Sequence, residues 1–311
     1  MAISTKLFSE YKNYGKCLEI SNGKIFLMVT VDVGPRIIKC GFINGVNILY
    51  NDYKREVLNK GEAYDKYYYK GAYWAIYGGH RLWASPESEP ETYYPDNNPV
   101  EYEILENGAI FTQEPQTQNG VQFKIKVTMD DDNNINVEHF ITNISNETKV
   151  LSPWAITVLN KGGLEIIPQN PEKKGLLPNR RIIMWPYANM ADERVYFGEN
   201  YITLKQDVNA ACAYKMGMDN RNGYAMYVLE DAVFVKQYTH FEDKEYDDFG
   251  VSFETYTNNV ILEMETLGNI HTLQPSETAT HTEKWTLFKN IGTPDAKDEK
   301  QIDAFVKNYI K

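Results

Sequence analysis

Residues 119–145, NGVQFKIKVTMDDDNNINVEHFITNIS, decide how this chain folds. Val121, Phe123, Ile125 and Val127 fall on one parity, and Gln122, Lys124, Lys126 and Thr128 fall on the other. Such alternation marks a strand with one face in a core, because successive side chains of extended backbone point to opposite faces. A polar run, DDDNN, interrupts the pattern, and Ile135, Val137 and Ile141 resume it. The stretch therefore predicts an antiparallel hairpin with one buried face. His139 shares the parity of Ile135 and Val137 and is expected as a core or edge histidine.

Similar signals extend along the chain in both directions. Asn-Gly pairs begin at Asn22, Asn44, Asn107, Asn119 and Asn222 and supply the positive φ that tight hairpin turns require. Strand-like stretches recur at 17–31, 36–50, 100–113, 151–160, 201–206, 211–217, 223–230, 232–239, 250–256, 260–266 and 281–288. So many short strands predict an all-β fold, an antiparallel sandwich. One segment has a helical period: Ile302, Phe305, Val306 and Tyr309 recur after Thr293 and Pro294, which read as its N-cap and first turn. This short C-terminal helix is expected to cover a sheet edge. Stretches 84–99 and 168–200 read as long loops, where function often resides. No shift in composition divides the chain, so 1–311 reads as a single domain.

A formal charge of −11 removes the basic footprint of a nucleic-acid binder and disfavours anionic lipid. A neutral or cationic small ligand fits better. Cys17, Cys40 and Cys212 are far apart and have no metal-ligand spacing, so reduced thiols and no zinc site are expected. The first residues lack an apolar signal core, and no run approaches the ~20 apolar residues of a membrane span. These features together predict a cytoplasmic protein without membrane or nucleic-acid partners and leave its oligomeric state open.

Three constellations bear on chemistry. In GGHRLWASPES, 78–88, two glycines permit close backbone approach, and His80 and Arg81 follow them ahead of Trp83. Arg81 can fork hydrogen bonds onto vicinal hydroxyls, His80 can exchange a proton near neutral pH, and an aromatic ring can cover the C–H face of a sugar. The plainer alternative pairs Arg81 with a carboxylate of SPESEPE. In NNVILEMETLG, 258–268, Glu263 and Glu265 share a parity opposite to Leu262 and Met264. They read either as a solvated outer face or as paired carboxylates ~6.6 Å apart at Cα. Side chains on one strand stand side by side, which suits a glycosidase poorly, since its acid and base flank the scissile bond. In VKQYTHFEDKEYDDFG, 235–250, Lys236 and His240 precede an acidic run that lacks the EF-hand spacing, so no metal is expected. His271 and His281 stand isolated. No GxSxG, P-loop, HExxH or dinucleotide fingerprint occurs, and no cofactor is implied.

Taken in order, VDVGPRIIKCGFINGVNILY (31–50), YGGHRLWASPE (77–87), ITNISNETKVLSPWAITVL (141–159) and ILEMETLGNIHTLQPSETATHTEKWTLF (261–288) resemble the aldose 1-epimerase, or galactose mutarotase-like, superfamily. The resemblance implies an antiparallel β-supersandwich that binds a monosaccharide or sugar derivative and interconverts its anomers. A glutamate base takes the anomeric proton, and a histidine acid protonates the ring oxygen. Position for position, the base falls on Glu263 with Glu265 as neighbour or substitute, and Arg81 with His80 matches the sugar-positioning site. The histidine strand corresponds to LSPWAITVL, where Trp154 replaces the acid and can serve instead as a stacking platform. His80 is then the first replacement acid, with His240 and Lys236 next. A non-catalytic sugar-binding or sensing module and a glycosidic-bond-cleaving enzyme remain alternatives.

Overall fold

A computed structural model describes residues 3–172 and 175–310. The 119–145 hairpin forms in the expected register: Val121–Met129 pairs with Asn134–Asn143, placing Phe123 opposite Ile141, Ile125 opposite His139 and Val127 opposite Val137. All six are buried. The hairpin belongs to a sheet of ten described strands that also holds Tyr224–Leu229, Ala232–Tyr238 and Thr278–Lys289.

A second sheet, of eleven described strands, packs against it. Its centre runs Gly79–Ser85, Lys149–Leu159, Leu262–Leu267, Phe253–Thr257 and Tyr214–Met218, each antiparallel to the next. Leu27, Ile37 and Leu82 of this sheet meet Val127, Val137 and Trp285 of the other in one apolar core. The architecture is the expected antiparallel sandwich.

Three local expectations change. The C-terminal helix is Glu299–Val306, and Asp298 rather than Thr293 caps it, its carboxylate accepting from the Lys300 and Gln301 amides. Ile302, Phe305 and Val306 pack on Ile166, Val228 and Val235, so the helix covers the outer face of the ten-stranded sheet and not an edge. The 168–200 stretch contains two short strands, Ile182–Met184 and Val195–Phe197. All three cysteines are free thiols. No helix among the described residues is long and apolar enough to cross a membrane.

The eleven-stranded sheet has a second apolar cluster on the face turned away from the core. Trp74, Trp83, Trp154, Ile156, Tyr246 and Leu267 meet there, with Tyr64 of the helix Glu62–Tyr67 over them. Functional side chains gather on this face.

Candidate functional site

Register alone places the site. Trp154 lies opposite Trp83, Ile156 opposite both Arg81 and Glu265, and Val158 opposite Glu263; Glu265 faces Glu254, and Tyr256 faces both Glu263 and Lys215. Residues in register share a face, so Arg81, Trp83, Trp154, Glu263, Glu265, Glu254 and Lys215 all leave the sheet on one side. All but Glu254 floor a cavity of about 450 Å³. The walls come from connecting segments: Glu87 and Tyr93 from the 84–99 stretch, Trp185 and Tyr187 from the 168–200 stretch, and Trp74 from the strand Tyr73–Ala75.

Two ion systems are held in this aromatic box. Both terminal nitrogens of Arg81 donate to Glu263 Oε1 at 3.2 Å, while the guanidinium lies 4.2 Å from the Trp83 ring centroid and 5.4 Å from that of Trp74. Glu263 Oε2 has no protein partner among the described residues. Lys215 Nζ lies 2.7 Å from Glu254 Oε2 and 3.0 Å from Glu265 Oε2, flanked by the rings of Trp154 and Trp185. Trp154 Nε1 donates to the same Glu265 oxygen at 2.9 Å. Burial pushes the Glu263 carboxyl above its ordinary range, with Arg81 opposing the shift and Glu265 adding to it. Burial and the neighbouring Glu265 push Glu254 much further up, against the pull of Lys215. Burial disfavours the Lys215 ammonium, but Glu265 and Glu254 more than offset this and hold its pKa above the usual lysine range.

Glu263 and Glu265 are 8% and 1% exposed, so the solvated outer face is excluded. Arg81 pairs with Glu263 and with no carboxylate of SPESEPE. Trp83 and Trp154 line the cavity, and Trp154 is also a donor to a carboxylate, which its sequence position did not reveal. Lys215, Glu254, Trp74, Trp185 and Tyr256 were missed; the alternation of 211–217 and 250–256 set their faces but gave no sign that these faces met.

His80 stands elsewhere. It is one residue from Arg81 on the same strand and therefore points into the core, fully buried. Its Nδ1 lies 2.8 Å from Thr157 Oγ1 and its Nε2 2.7 Å from His139 Nε2, and its ring meets Trp285 edge-on. The expected acid role for His80 is corrected on that ground. Gly78 and Gly79, at φ +100° and +65°, explain the pair's local setting: an added Cβ would come within 2.3 Å of Tyr50 O and 2.0 Å of Ile37 O. Lys236 is also buried in the core, donating to Met264 O and paired with Glu283 at 2.8 Å. His281 is not isolated, because its Nε2 lies 2.7 Å from Thr266 Oγ1, which also donates to Glu283. His80, His139 and Glu283 come within metal-ligand range of one another, but Lys236, Thr266 and Trp285 already satisfy the Glu283 carboxylate.

His240 lines a separate cavity of about 510 Å³ with Arg181, Arg221 and Tyr246, stacks on Tyr246, and places Nδ1 2.8 Å from Ser252 Oγ. His240 does not join the Arg81 cavity. No histidine lines that cavity among the described residues.

The fold is shared with solved structures. It aligns with a galactose mutarotase-like protein from Lactobacillus casei at a TM-score of 0.55 and 12% identity, covering 88% of this chain and 100% of that one. A galactose mutarotase-like protein from Clostridium acetobutylicum aligns at 0.53 and 13%, covering 93% and 99%. The fold is the galactose mutarotase-like β-sandwich. No family model matches the sequence, and no curated protein matches it significantly.

Proposed function

We propose that the Arg81 cavity binds a sugar and that the protein interconverts its anomers, with Glu263 as the base. The observation that carries this reading is the pair Glu263 and Glu265, side by side on one strand inside an aromatic cavity. Anomeric exchange removes a proton from O1 and delivers one to the ring oxygen O5. Both oxygens are bonded to the same carbon, so two carboxyl groups approaching from one side satisfy the reaction. A glycosidase needs its carboxyls on opposite sides of the scissile bond, which this arrangement does not offer. Indole and phenol rings suit the C–H faces of a sugar, and Arg81 and Lys215 suit its hydroxyls. Glu263 Oε2 is open toward the cavity, and its raised carboxyl is a base nearer to neutral pH than an exposed glutamate. The free thiols fit a cytoplasmic setting.

A second reading is a non-catalytic sugar-binding module, favoured by the absence of a histidine from the cavity. One experiment separates the two. NMR exchange between α and β anomers is measured for hexoses, uronic acids and hexose phosphates, with wild type beside Glu263→Gln. Accelerated exchange lost in the variant supports the epimerase. Saturable binding without acceleration supports the module.

A further inference from the structure

Glu254 and Glu265 stand opposite each other on adjacent strands, and both reach the one ammonium of Lys215. Both glutamates are buried. One ammonium balances one carboxylate, and the other cation of the site, Arg81, is engaged by Glu263. The charges packed around the pair do not supply the missing balance. Glu263 on the same strand and Asp248 from the 239–252 segment add negative charge. Beneath the sheet, Glu165 accepts from Thr255 and burial raises its carboxyl well above the ordinary range, and Lys236 belongs to Glu283. Tyr187 and Tyr256 are neutral phenols whose pKa values are raised by burial. Two fully ionised carboxylates would thus leave one buried negative charge uncompensated, the arrangement in which paired carboxylates retain a proton.

Hydrogen bonding points the same way. Oε2 of Glu265 already accepts from Trp154 and Lys215, whereas Oε1 has no partner, and Oε1 of Glu254 has none either. A buried carboxylate oxygen without a donor is unfavourable ionised and acceptable as a hydroxyl that can donate.

Building on the epimerase reading, we propose that Glu254 and Glu265 hold one proton between them across Lys215, and that Glu265 delivers it to the ring oxygen as the acid that the missing histidine would supply. Glu265 is the member that lines the cavity; Glu254 lies behind it. As the C1–O5 bond breaks, its electron pair passes to O5, which takes the proton from the Glu265 carboxyl. The O1–H pair becomes the second bond of C1=O as Glu263 takes that proton. The open-chain aldehyde then stands beside a protonated Glu263 and an ionised Glu254–Glu265 pair, balanced by Lys215 and by the Arg81 charge that Glu263 no longer neutralises. Rotation about C1–C2 and the reverse transfers give the other anomer and restore both groups.

The test begins without sugar. In wild type carrying 13C-labelled glutamate, one side-chain carboxyl besides those of Glu165 and Glu263 is expected to titrate above the ordinary glutamate range, and that step is expected to disappear in Glu254→Gln. Ionisation of every glutamate carboxyl except Glu165 and Glu263 within the ordinary glutamate range would overturn the shared proton, whether or not the protein turns over sugar. With a sugar that wild type exchanges, kcat is expected to fall as pH rises through the same step, and Glu265→Gln to lose at least 100-fold in kcat with sugar affinity within about threefold. Retained exchange in Glu265→Gln would overturn its role as acid. If wild type exchanges no sugar, the epimerase reading fails and takes the acid role with it, while the carboxyl titration still decides the shared proton.

Discussion

Both terminal nitrogens of Arg81 converge on Oε1 of Glu263 and leave Oε2 of that carboxylate to the cavity. The guanidinium is 4% exposed, so truncating it strands a buried carboxylate. Arg81→Met is expected to lower unfolding free energy by about 3 kcal/mol, the lower part of the range for a broken buried ion pair, because Glu263 keeps an outlet to the cavity. Arg81→Lys retains the charge and is expected to lose less. Urea unfolding of the two variants measures the difference.

The histidine network inside the sandwich predicts a pH dependence of stability. Burial lowers the pKa values of His80, His139 and His281, that of His281 to about 3 from an ordinary 6.5. The unfolded chain therefore binds more protons than the folded one below about pH 6.5, and stability falls as pH drops through this window. Each histidine contributes at most about 1.4 kcal/mol per pH unit. Glu283, held low by Lys236 and the histidines against the effect of burial, adds stability that is present above about 4.5 and is lost further into acid. Glu165 and Glu254 act oppositely, since their raised values favour the fold below 4.5 and lose that contribution as pH rises. Urea midpoints between pH 5 and 7 are expected to rise with pH, and His281→Gln, which keeps a donor for Thr266, is expected to flatten the slope.

Gly79 permits a backbone approach that no other residue allows. With φ at +65° and a Cβ position 2.0 Å from Ile37 O, Gly79→Ala is expected to destabilise the protein by on the order of 3 kcal/mol. Gly162, also at positive φ but with nothing near its Cβ position, is the control and is expected to lose less. Thermal unfolding of the two alanine variants makes the comparison.

Trp185 is a half-buried wall of the cavity on a connecting segment, so its ring can be removed without opening the core. Trp185→Ala is expected to weaken sugar binding about three- to tenfold, the contribution of one aromatic face, with little change in melting temperature. Intrinsic fluorescence titration of the variant beside wild type reads it.

The sandwich was legible in the sequence because each half-buried strand writes its burial into a period of two. Val121 to Val127 and Ile135 to Ile141 show this, and the hairpin they predict forms in register. The same rule separates His80 from Arg81, for adjacent residues of a strand face opposite ways, yet proximity in sequence invited a joint role for them. Glu263 and Glu265 carried the correct relative parity, but whether their face met solvent or a cavity depended on the 84–99 and 168–200 segments folding over it. Lys215 and Glu254 were illegible for a related reason. Their partnership with Glu265 arises only where Tyr214–Met218, Phe253–Thr257 and Leu262–Leu267 align, and no spacing along the chain encodes that register. The helix cap moved from Thr293 to Asp298 because an aspartate just before EKQIDAFV can reach the exposed amides of the first turn.

In the proposed reaction Glu263 and Glu265 act together on the two oxygens of one anomeric carbon. Exchange NMR on wild type, Glu263→Gln, Glu265→Gln and the double variant tests it most directly, with sugar affinity measured alongside. Groups acting as one unit are non-additive, so each single variant is expected to lose nearly as much exchange as the double while binding persists. Exchange in the single variants equal to wild type, or losses that simply multiply in the double, would contradict it.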